Sequence, residues 1–447
     1  MNGHNAVVLG LGASGEAAAR LLRAEGWSVA VVDANRGSAT EARAAALRAE
    51  GVSVRLGADA RPEGPLDLAV ASPGIPARSP WLDDLRRRGV PILSEMELGW
   101  SRHRGRTLAV TGSNGKSTAV KWLAEAWSAA GRRVAIAGNY GPPVSAVVLA
   151  PPQVEWLVLE VSSFQLETVE SFRPGIGVLM NIYPNHLDRH GDFETYRALK
   201  WRLFSRMEME DVAIVPAAWR REFPRRGPRV IAFGADGENA EYIYRDGRVW
   251  REGCAVLDVR GTWFDNPVMG LTAAAVTAAA EAGGVAPGPV EQTARLFQPL
   301  PHRMALVAEM DGVRYVDDSK STNVAALAAA LRMTRGPVRL IAGGKPKGED
   351  YGEVAKILSE QVVKVYLIGM AASAMARAWS EGVPCELCGT LESAVERARC
   401  EARSGETVLL SPGCASFDQF QGYDERGEQF VQCIRSAEKF TKKKATT

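Results

Sequence analysis

The chain has 447 residues, 46% of them hydrophobic and 24% charged, with a formal net charge of +2. That length exceeds what one hydrophobic core organises and predicts about two to four soluble domains. The near-neutral balance offers no basic face to nucleic acid, no apolar run reaches the roughly 18 residues of a membrane helix, and Lys442-Lys443-Lys444 reads as a solvated tail.

Met1 leads almost at once into an apolar strand without a basic leader region, and the six cysteines are scattered, with Cys385 and Cys388 the close pair. A cytoplasmic protein with reduced thiols is expected. The first strand, Ala6–Leu9, runs into Gly10-Leu11-Gly12-Ala13-Ser14-Gly15 and a helix predicted over Glu16–Glu25. A second strand, Val29–Val32, delivers Asp33 about 20 residues on, where a dinucleotide-binding fold places its ribose ligand. Taken alone, this unit reads as a nicotinamide site. Leu68–Ala71 then enters Ser72-Pro73-Gly74-Ile75-Pro76, a stiff turn at the strand edge where open α/β sheets bind ligands.

Near Thr107 a second unit begins. The strand Leu108–Val110 is followed by Thr111-Gly112-Ser113-Asn114-Gly115-Lys116-Ser117-Thr118 and a helix carrying Val120, Leu123 and Trp127 on one face. Such a turn aims backbone N–H groups into one concavity at a helix N-terminus and attracts polyphosphate. Lys116 adds a point charge there, and the Ser117 hydroxyl can ligate magnesium. The common P-loop spacing would need glycine where Val110 stands, so this is a shorter form of the loop. Val134–Ala137 ends in Gly138-Asn139-Tyr140-Gly141, and Trp156–Leu159 delivers Glu160, a carboxylate placed as nucleotide enzymes place a magnesium ligand. After the strand Val178–Ile182 comes Asn185-His186-Leu187-Asp188-Arg189-His190, whose histidines admit either metal ligation or a surface loop. A helix is predicted over Phe193–Met207, then a β-rich stretch over Val212–Val259 and an alanine-rich helix over Asn266–Ala282.

Pro299-Leu300-Pro301-His302-Arg303 reads as a stiff linker into a third unit. There Val313–Val316 leads to Asp317-Asp318-Ser319-Lys320-Ser321-Thr322-Asn323, Val338–Ala342 to Gly343-Gly344-Lys345-Pro346-Lys347, and Thr407–Leu410 to Ser411-Pro412-Gly413-Cys414-Ala415-Ser416. Polar clusters that each follow a strand gather on one edge of one sheet. An NAD oxidoreductase leaves the second glycine turn idle, and a simple NTPase leaves the first idle. An enzyme that holds a nucleotide-tagged substrate on one unit and ATP on another uses both.

The ordered set TGSNGKST, GNYG, EVSSFQLE, NHLDRH, YRALK, His302-Arg303, DSKSTN and SPGCASFDQF resembles the Mur ligases of bacterial cell-wall synthesis. The resemblance implies three α/β domains: a Rossmann-like UDP-substrate domain over 1–100, a central P-loop-type ATPase domain with a parallel sheet over 101–302, and a Rossmann-like domain over 303–447 for amino acid and nucleotide. It implies an ATP- and Mg²⁺-dependent amide ligase that adds glutamate to UDP-N-acetylmuramoyl-L-alanine through an acyl phosphate, as a cytoplasmic monomer. L-glutamate is the alternative to D-glutamate.

By the same resemblance Gly112, Ser113, Asn114, Gly115, Lys116, Ser117, Thr118, His302, Arg303, Asp318 and Lys320 bind ATP. Ser117, Glu160, His186 and Lys200 hold metal, Lys200 as a CO₂-derived carbamate, and Lys116, Glu160, His186 and Lys200 are the catalytic set. The UDP substrate would meet Leu11, Gly12, Ala13, Ser14, Asp33, Ser72, Pro73, Gly74, Asn139 and His186. Glutamate would meet Thr322, Lys347, Ser416 and Tyr423. Pro346 and Tyr423 depart from the family pattern, and Arg36 is displaced from it by one position.

Overall fold

A computed structural model of the chain describes residues 4–224 and 226–445; of Asp188 and of residues 437–445, only the backbone is described. The side chains of Lys442, Lys443 and Lys444 therefore lie outside the described residues. The chain folds into two compact units, Met1–Ile182 with Arg197–Arg260 and Leu271–Arg295, and Tyr183–Tyr196 with Gly261–Gly270 and Leu296–Thr447. Among the described residues no helix is long and apolar enough to cross a membrane.

The first unit contains two sheets. Five parallel strands lie in the spatial order Ser53–Leu56, Ser28–Asp33, Asn5–Leu9, Leu68–Ala71, Ile92–Ser94. Near-continuous apolar strands of this kind need cover on both faces. One face packs Val8, Val31 and Val70 against Leu22 and Leu47, and the other packs Val7, Leu9 and Ala69 against Leu82 and Leu85. The glycine turn after the first strand is held close to the following helix: a Cβ on Gly15 would lie 1.9 Å from the Gly10 carbonyl oxygen, so no larger residue fits.

A nine-stranded sheet follows, in the order Cys254–Asp258, Arg248–Arg251, Tyr242–Arg245, Arg229–Ala235, Val212–Pro216, Ile176–Leu179, Arg106–Thr111, Trp156–Glu160, Val134–Gly138. Its strands pair parallel from Val134–Gly138 to Tyr242–Arg245, and only the last two pairings are antiparallel. Arg106–Thr111 is an interior strand, third from the Val134–Gly138 edge, and Trp122 and Trp127 of the helix Lys116–Ala129 are fully buried.

The two sheets of this unit are joined through the short helix Glu95–Trp100. Glu97, fully buried, accepts hydrogen bonds from the backbone N–H groups of Glu170, Ser171 and Phe172 and from the Ser171 hydroxyl. Glu95 accepts from the Ser145 N–H at 2.7 Å. A carboxylate surrounded by N–H donors is stable in the interior because the donors replace the water it lost.

The second unit carries a six-stranded sheet in the order Ala305–Met310, Val313–Asp317, Thr407–Leu410, Val338–Gly343, Val362–Ile368, Cys385–Gly389, parallel except for its first pair. Leu327, Leu331, Leu358 and Trp379 cover one face and Val395, Ala398, Phe430 and Ile434 the other. Cys385 and Cys388 sit on the last strand as free thiols. Three largely parallel α/β sheets, as expected, thus account for the fold.

Candidate active site

The glycine turns and most polar clusters read from the sequence fall just beyond the C-terminal ends of parallel strands, where loops are free to bend and the strand supplies rigidity, whereas Lys200 lies on a helix and His302-Arg303 precede the strand Ala305–Met310. In the five-stranded sheet, Asp33 ends its strand and turns its carboxylate inward: Oδ2 accepts from the Leu11 N–H at 2.6 Å and Oδ1 from the Asn35 N–H at 2.7 Å. The Ser72 hydroxyl donates to the Gly10 carbonyl at 3.0 Å, which ties the Ser72-Pro73-Gly74 turn to the glycine turn. Gly12 and Ala13 are exposed at that lip, and Gly12 begins the helix Ala13–Ala24 with no side-chain cap, leaving its amide end able to meet an anion. Arg36 spends its guanidinium on the Leu56 carbonyl, at 3.0 and 2.8 Å.

In the nine-stranded sheet the interior strand Arg106–Thr111 runs into the phosphate-type loop and the helix Lys116–Ala129. Gly115 begins this helix in the left-handed region (φ 84°) and caps it with no side chain, so the backbone turns without covering the helix N-terminus. Asn181 braces the loop: its carbonyl accepts from the Ser113 N–H at 3.0 Å, its Oδ1 from the Asn114 N–H at 2.9 Å, and its Nδ2 donates to the Asn114 carbonyl at 3.1 Å. Lys116 folds back over the loop and donates to the Gly112 and Ser113 carbonyls at 2.9 and 3.0 Å.

Lys200, on the helix Phe193–Trp201, donates to the same Gly112 carbonyl at 2.9 Å and is almost wholly buried. Burial, and then the neighbouring Lys116, hold its amine well below the ordinary lysine pKa, against the opposing pull of Glu160. Glu160 is 2% exposed at the end of the adjacent strand, its register partner being Val110. Its Oε1 accepts from Asn139 Nδ2 at 2.7 Å, while Oε2 and the Thr118 hydroxyl are buried with no hydrogen-bond partner.

A buried, unpartnered carboxylate oxygen is costly unless something else approaches it. A divalent cation meets that need, and Ser117 and Glu160 are oxygen donors suited to magnesium. Among the described residues no group of three or more His, Cys, Asp or Glu side chains could hold a metal alone, so such a cation would draw its remaining ligands from phosphate and water.

His186 lies in the segment grouped with the second unit. Its backbone is left-handed (φ 55°), which costs a non-glycine residue energy, and it opens the short helix Leu187–His190. The Asp188 side chain in the same motif is outside the described residues.

On the six-stranded sheet, His302 Nδ1 and Asp317 Oδ2 are 2.7 Å apart, and this hydrogen bond raises the imidazole pKa. Asp318 is buried and accepts from the Ser411 hydroxyl at 3.0 Å and the Met304 N–H at 3.2 Å; burial pushes its pKa up to about 7, against the pull of Arg303. Lys347 donates to the Thr322 carbonyl at 3.0 Å, bringing two of the expected amino-acid contacts together. Lys320 lies over the Tyr423 ring, 5.2 Å from its centroid, and Ser416 is buried.

Three further residues stand in these sites without a signal in the sequence. Asn181 follows a strand and resembles any loop asparagine, Asp317 is masked by its acidic neighbour, and Arg426 looks like a helix-surface charge. Only their tertiary partners mark them.

Three family models match the chain: "Mur ligase MurD-like, N-terminal domain" over residues 4–94, "Mur ligase middle domain" over 110–265, and "Mur ligase, glutamate ligase domain" over 302–414. The chain is 38% identical over 454 residues to the UDP-N-acetylmuramoylalanine--D-glutamate ligase of Acidobacterium capsulatum, covering 97% of this chain and 96% of that protein. To the ligase of the same name from Koribacter versatilis it is 37% identical over 455 residues, covering 99% and 100%. Among solved structures, a type C pseudomurein peptide ligase from Methanothermus fervidus aligns with a TM-score of 0.62 at 16% identity, over 96% of this chain and 100% of that one. The MurF ligase from Thermotoga maritima in complex with ADP aligns with a TM-score of 0.62 at 18% identity, over 92% and 96%. At those identities the two structures speak for the fold alone.

Proposed function

Because this chain belongs to the Mur ligase family, with relatives of full length that are D-glutamate ligases, we propose that it joins D-glutamate to UDP-N-acetylmuramoyl-L-alanine at the expense of ATP in peptidoglycan precursor synthesis. It would do so as a cytoplasmic monomer.

A carboxylate is a poor electrophile, so the alanyl carboxylate first attacks the γ-phosphorus of ATP; the bond to ADP breaks and an acyl phosphate forms. The glutamate amine then attacks the acyl carbon, loses a proton, and phosphate leaves with its electron pair. The first step spreads charge over the phosphoryl oxygens, and cations placed in advance lower its barrier. Lys116 and the amides of Gly112, Ser113, Asn114, Gly115, Ser117 and Thr118 are the phosphate contacts in this reading. Magnesium held by Ser117 and Glu160 would supply further neutralisation of the phosphates.

The convergence of Lys116, Lys200 and Glu160 on the phosphate-type loop carries the proposal. A neutral, buried amine at Lys200 is a nucleophile for CO₂: it forms a C–N bond, releases a proton and becomes a carbamate. With His186 that carbamate would hold a second magnesium, whereas an ammonium could not. His302, Arg303, Asp318 and Lys320 complete the nucleotide contacts. Leu11, Gly12, Ala13, Ser14, Asp33, Ser72, Pro73, Gly74, Asn139 and His186 are assigned to the UDP substrate, and Thr322, Lys347, Ser416 and Tyr423 to glutamate. One fixed cation plus hydroxyl donors suits a small dicarboxylate.

The test is phosphate release by the purified protein with ATP, Mg²⁺ and UDP-N-acetylmuramoyl-L-alanine, offered D-glutamate, L-glutamate, aspartate, lysine and diaminopimelate separately. Release that requires both the nucleotide substrate and D-glutamate is expected. Preference for L-glutamate would correct the enantiomer, preference for a diamino acid would overturn the pocket assignment, and saturable NAD(H) binding without ligation would overturn the whole reading.

A further inference from the structure

Arg426, on the long helix Tyr423–Ala445, is fully buried, which is rare for a guanidinium without a carboxylate. Its partners are all neutral. Nε donates to the Ser319 hydroxyl at 3.0 Å, Nη2 to the Ser319 carbonyl at 2.8 Å, and Nη1 and Nη2 to the Cys414 carbonyl at 3.2 Å each.

The nearby acids are engaged elsewhere. Asp317 holds His302 and the Ser319 N–H, Asp318 holds Ser411 and Met304, and Asp418 takes the Met370 N–H on Oδ2 at 2.9 Å with its buried Oδ1 unpartnered, so these acids act on Arg426 only through space. A buried positive charge is therefore left without a direct counter-ion. Burial lowers the Arg426 pKa to about 10, and a guanidinium at that value still carries its proton at neutral pH.

Its two carbonyl partners belong to the loops that present the assigned amino-acid contacts. Ser319 precedes Lys320 and Thr322, and Cys414 precedes Ser416. The same loops are sewn together by the Gly413 N–H on the Ser321 carbonyl at 2.9 Å, and Ser319 donates to the Tyr423 carbonyl at 2.8 Å. One fork thus fixes three chain segments at the strand edge where Lys347 and Thr322 meet.

We propose that Arg426 is a positioning and specificity-determining residue of the amino-acid site: its fork sets the Ser319 and Cys414 loops, and its charge, bonded directly to no carboxylate, favours a doubly negative amino acid over a singly negative one. This rests on the glutamate reading above. Attraction from a charge buried in low-dielectric protein falls off slowly, so it need not touch the ligand to bias its selection.

Glutamine tests the charge because it keeps the shape of glutamate and lacks its distal charge. Arg426→Gln should raise the KM for glutamate about 10-fold or more, leave the KM for the UDP substrate within about twofold, and lower the preference for glutamate over glutamine about 10-fold. Arg426→Lys keeps the charge and loses the fork, so it should raise the KM for glutamate and largely preserve that preference. If Arg426→Gln does not fold, Arg426→Lys and Ser319→Ala carry the comparison, each expected to raise the KM for glutamate selectively.

Unchanged glutamate KM and preference in the folded variants, or an equal rise in every KM, would overturn the inference. A wild-type protein that does not ligate glutamate would overturn the glutamate reading itself, and this inference with it. The two failures are distinguished by that control.

Discussion

Lys116 and Lys200 donate to one acceptor, the Gly112 carbonyl oxygen, each at 2.9 Å. Two charged amines so close together repel, and the deeper of them, Lys200, is the one whose pKa burial depresses. The native Lys200 amine thus sheds its proton at a pH where the unfolded one keeps it. The unfolded state binds more protons over that window, and stability rises with pH from the depressed native value toward 10.5.

Lys200→Met removes the buried amine while the Gly112 carbonyl keeps Lys116 as a donor. At neutral pH the variant should unfold at a temperature equal to or above that of the wild type, with the gap narrowing as the pH approaches 10.5. Turnover should fall about 10³-fold or more, since the side chain can no longer form a carbamate. A stable variant with near-normal phosphate release would remove Lys200 from the chemistry.

Glu160→Gln is nearly isosteric and keeps an oxygen for Asn139 Nδ2. It loses the charge on the buried, unpartnered Oε2, the atom best placed for a cation. Turnover should drop by about 10²-fold or more with little change in unfolding temperature, and raising the magnesium concentration should recover part of it. Loss of folding without a change in magnesium dependence would mean that Glu160 serves packing.

Strands were legible because buried parallel strands are short apolar runs bounded by polar loops; Leu68–Ala71 and Thr407–Leu410 fall where the pattern places them. Ends were less so. The first helix starts at Ala13 rather than Glu16, since small residues after Gly12 look like more of the glycine turn. The strand expected over Val178–Ile182 runs Ile176–Leu179 and stops before Asn181, which turns back to brace the loop. The helix expected to reach Met207 ends at Trp201 and tightens over Arg202–Phe204, where the Arg202 guanidinium reaches back to the Glu167 and Val169 carbonyls. Site residues that follow strands were visible from their motifs. Asn181, Asp317 and Arg426 were not, because their roles lie in contacts that only folding creates.

Glu97 provides a test of how the first two sheets are held together. Its carboxylate collects three backbone N–H groups and one hydroxyl from Glu170, Ser171 and Phe172. In Glu97→Gln the amide oxygen can take the Oε1 place, where all four donors converge, but they then meet a neutral acceptor in place of an anion, and the NH₂ at the Oε2 place faces the Glu170 N–H. A loss of about 2–4 kcal/mol in urea unfolding is expected. An unchanged midpoint would show that the Glu95–Trp100 helix is held by its apolar contacts alone.

The neighbouring Glu95 should make stability pH-dependent in the opposite sense to Lys200. It is 1% exposed, and burial raises its pKa from 4.5 to about 7 despite the Ser145 N–H that favours its anion. Below pH 4.5 the carboxyl is protonated in both folded and unfolded chains and contributes no slope. Between 4.5 and about 7 the folded chain binds the extra proton, so stability falls as the pH rises, and above 7 the whole cost is present. That cost is on the order of 3 kcal/mol. Glu95→Gln is neutral throughout and keeps an oxygen for Ser145. Asp318 and Glu349 are also raised to about 7 and add to the wild-type slope, but they are common to both proteins and cancel in the difference. Urea unfolding at several pH values should therefore find the two proteins alike near pH 4 and the variant more stable near pH 8, by about 1–3 kcal/mol. A difference that stays constant across that range would mean that Glu95 has the same affinity for its proton folded and unfolded, and that the Ser145 contact compensates its burial.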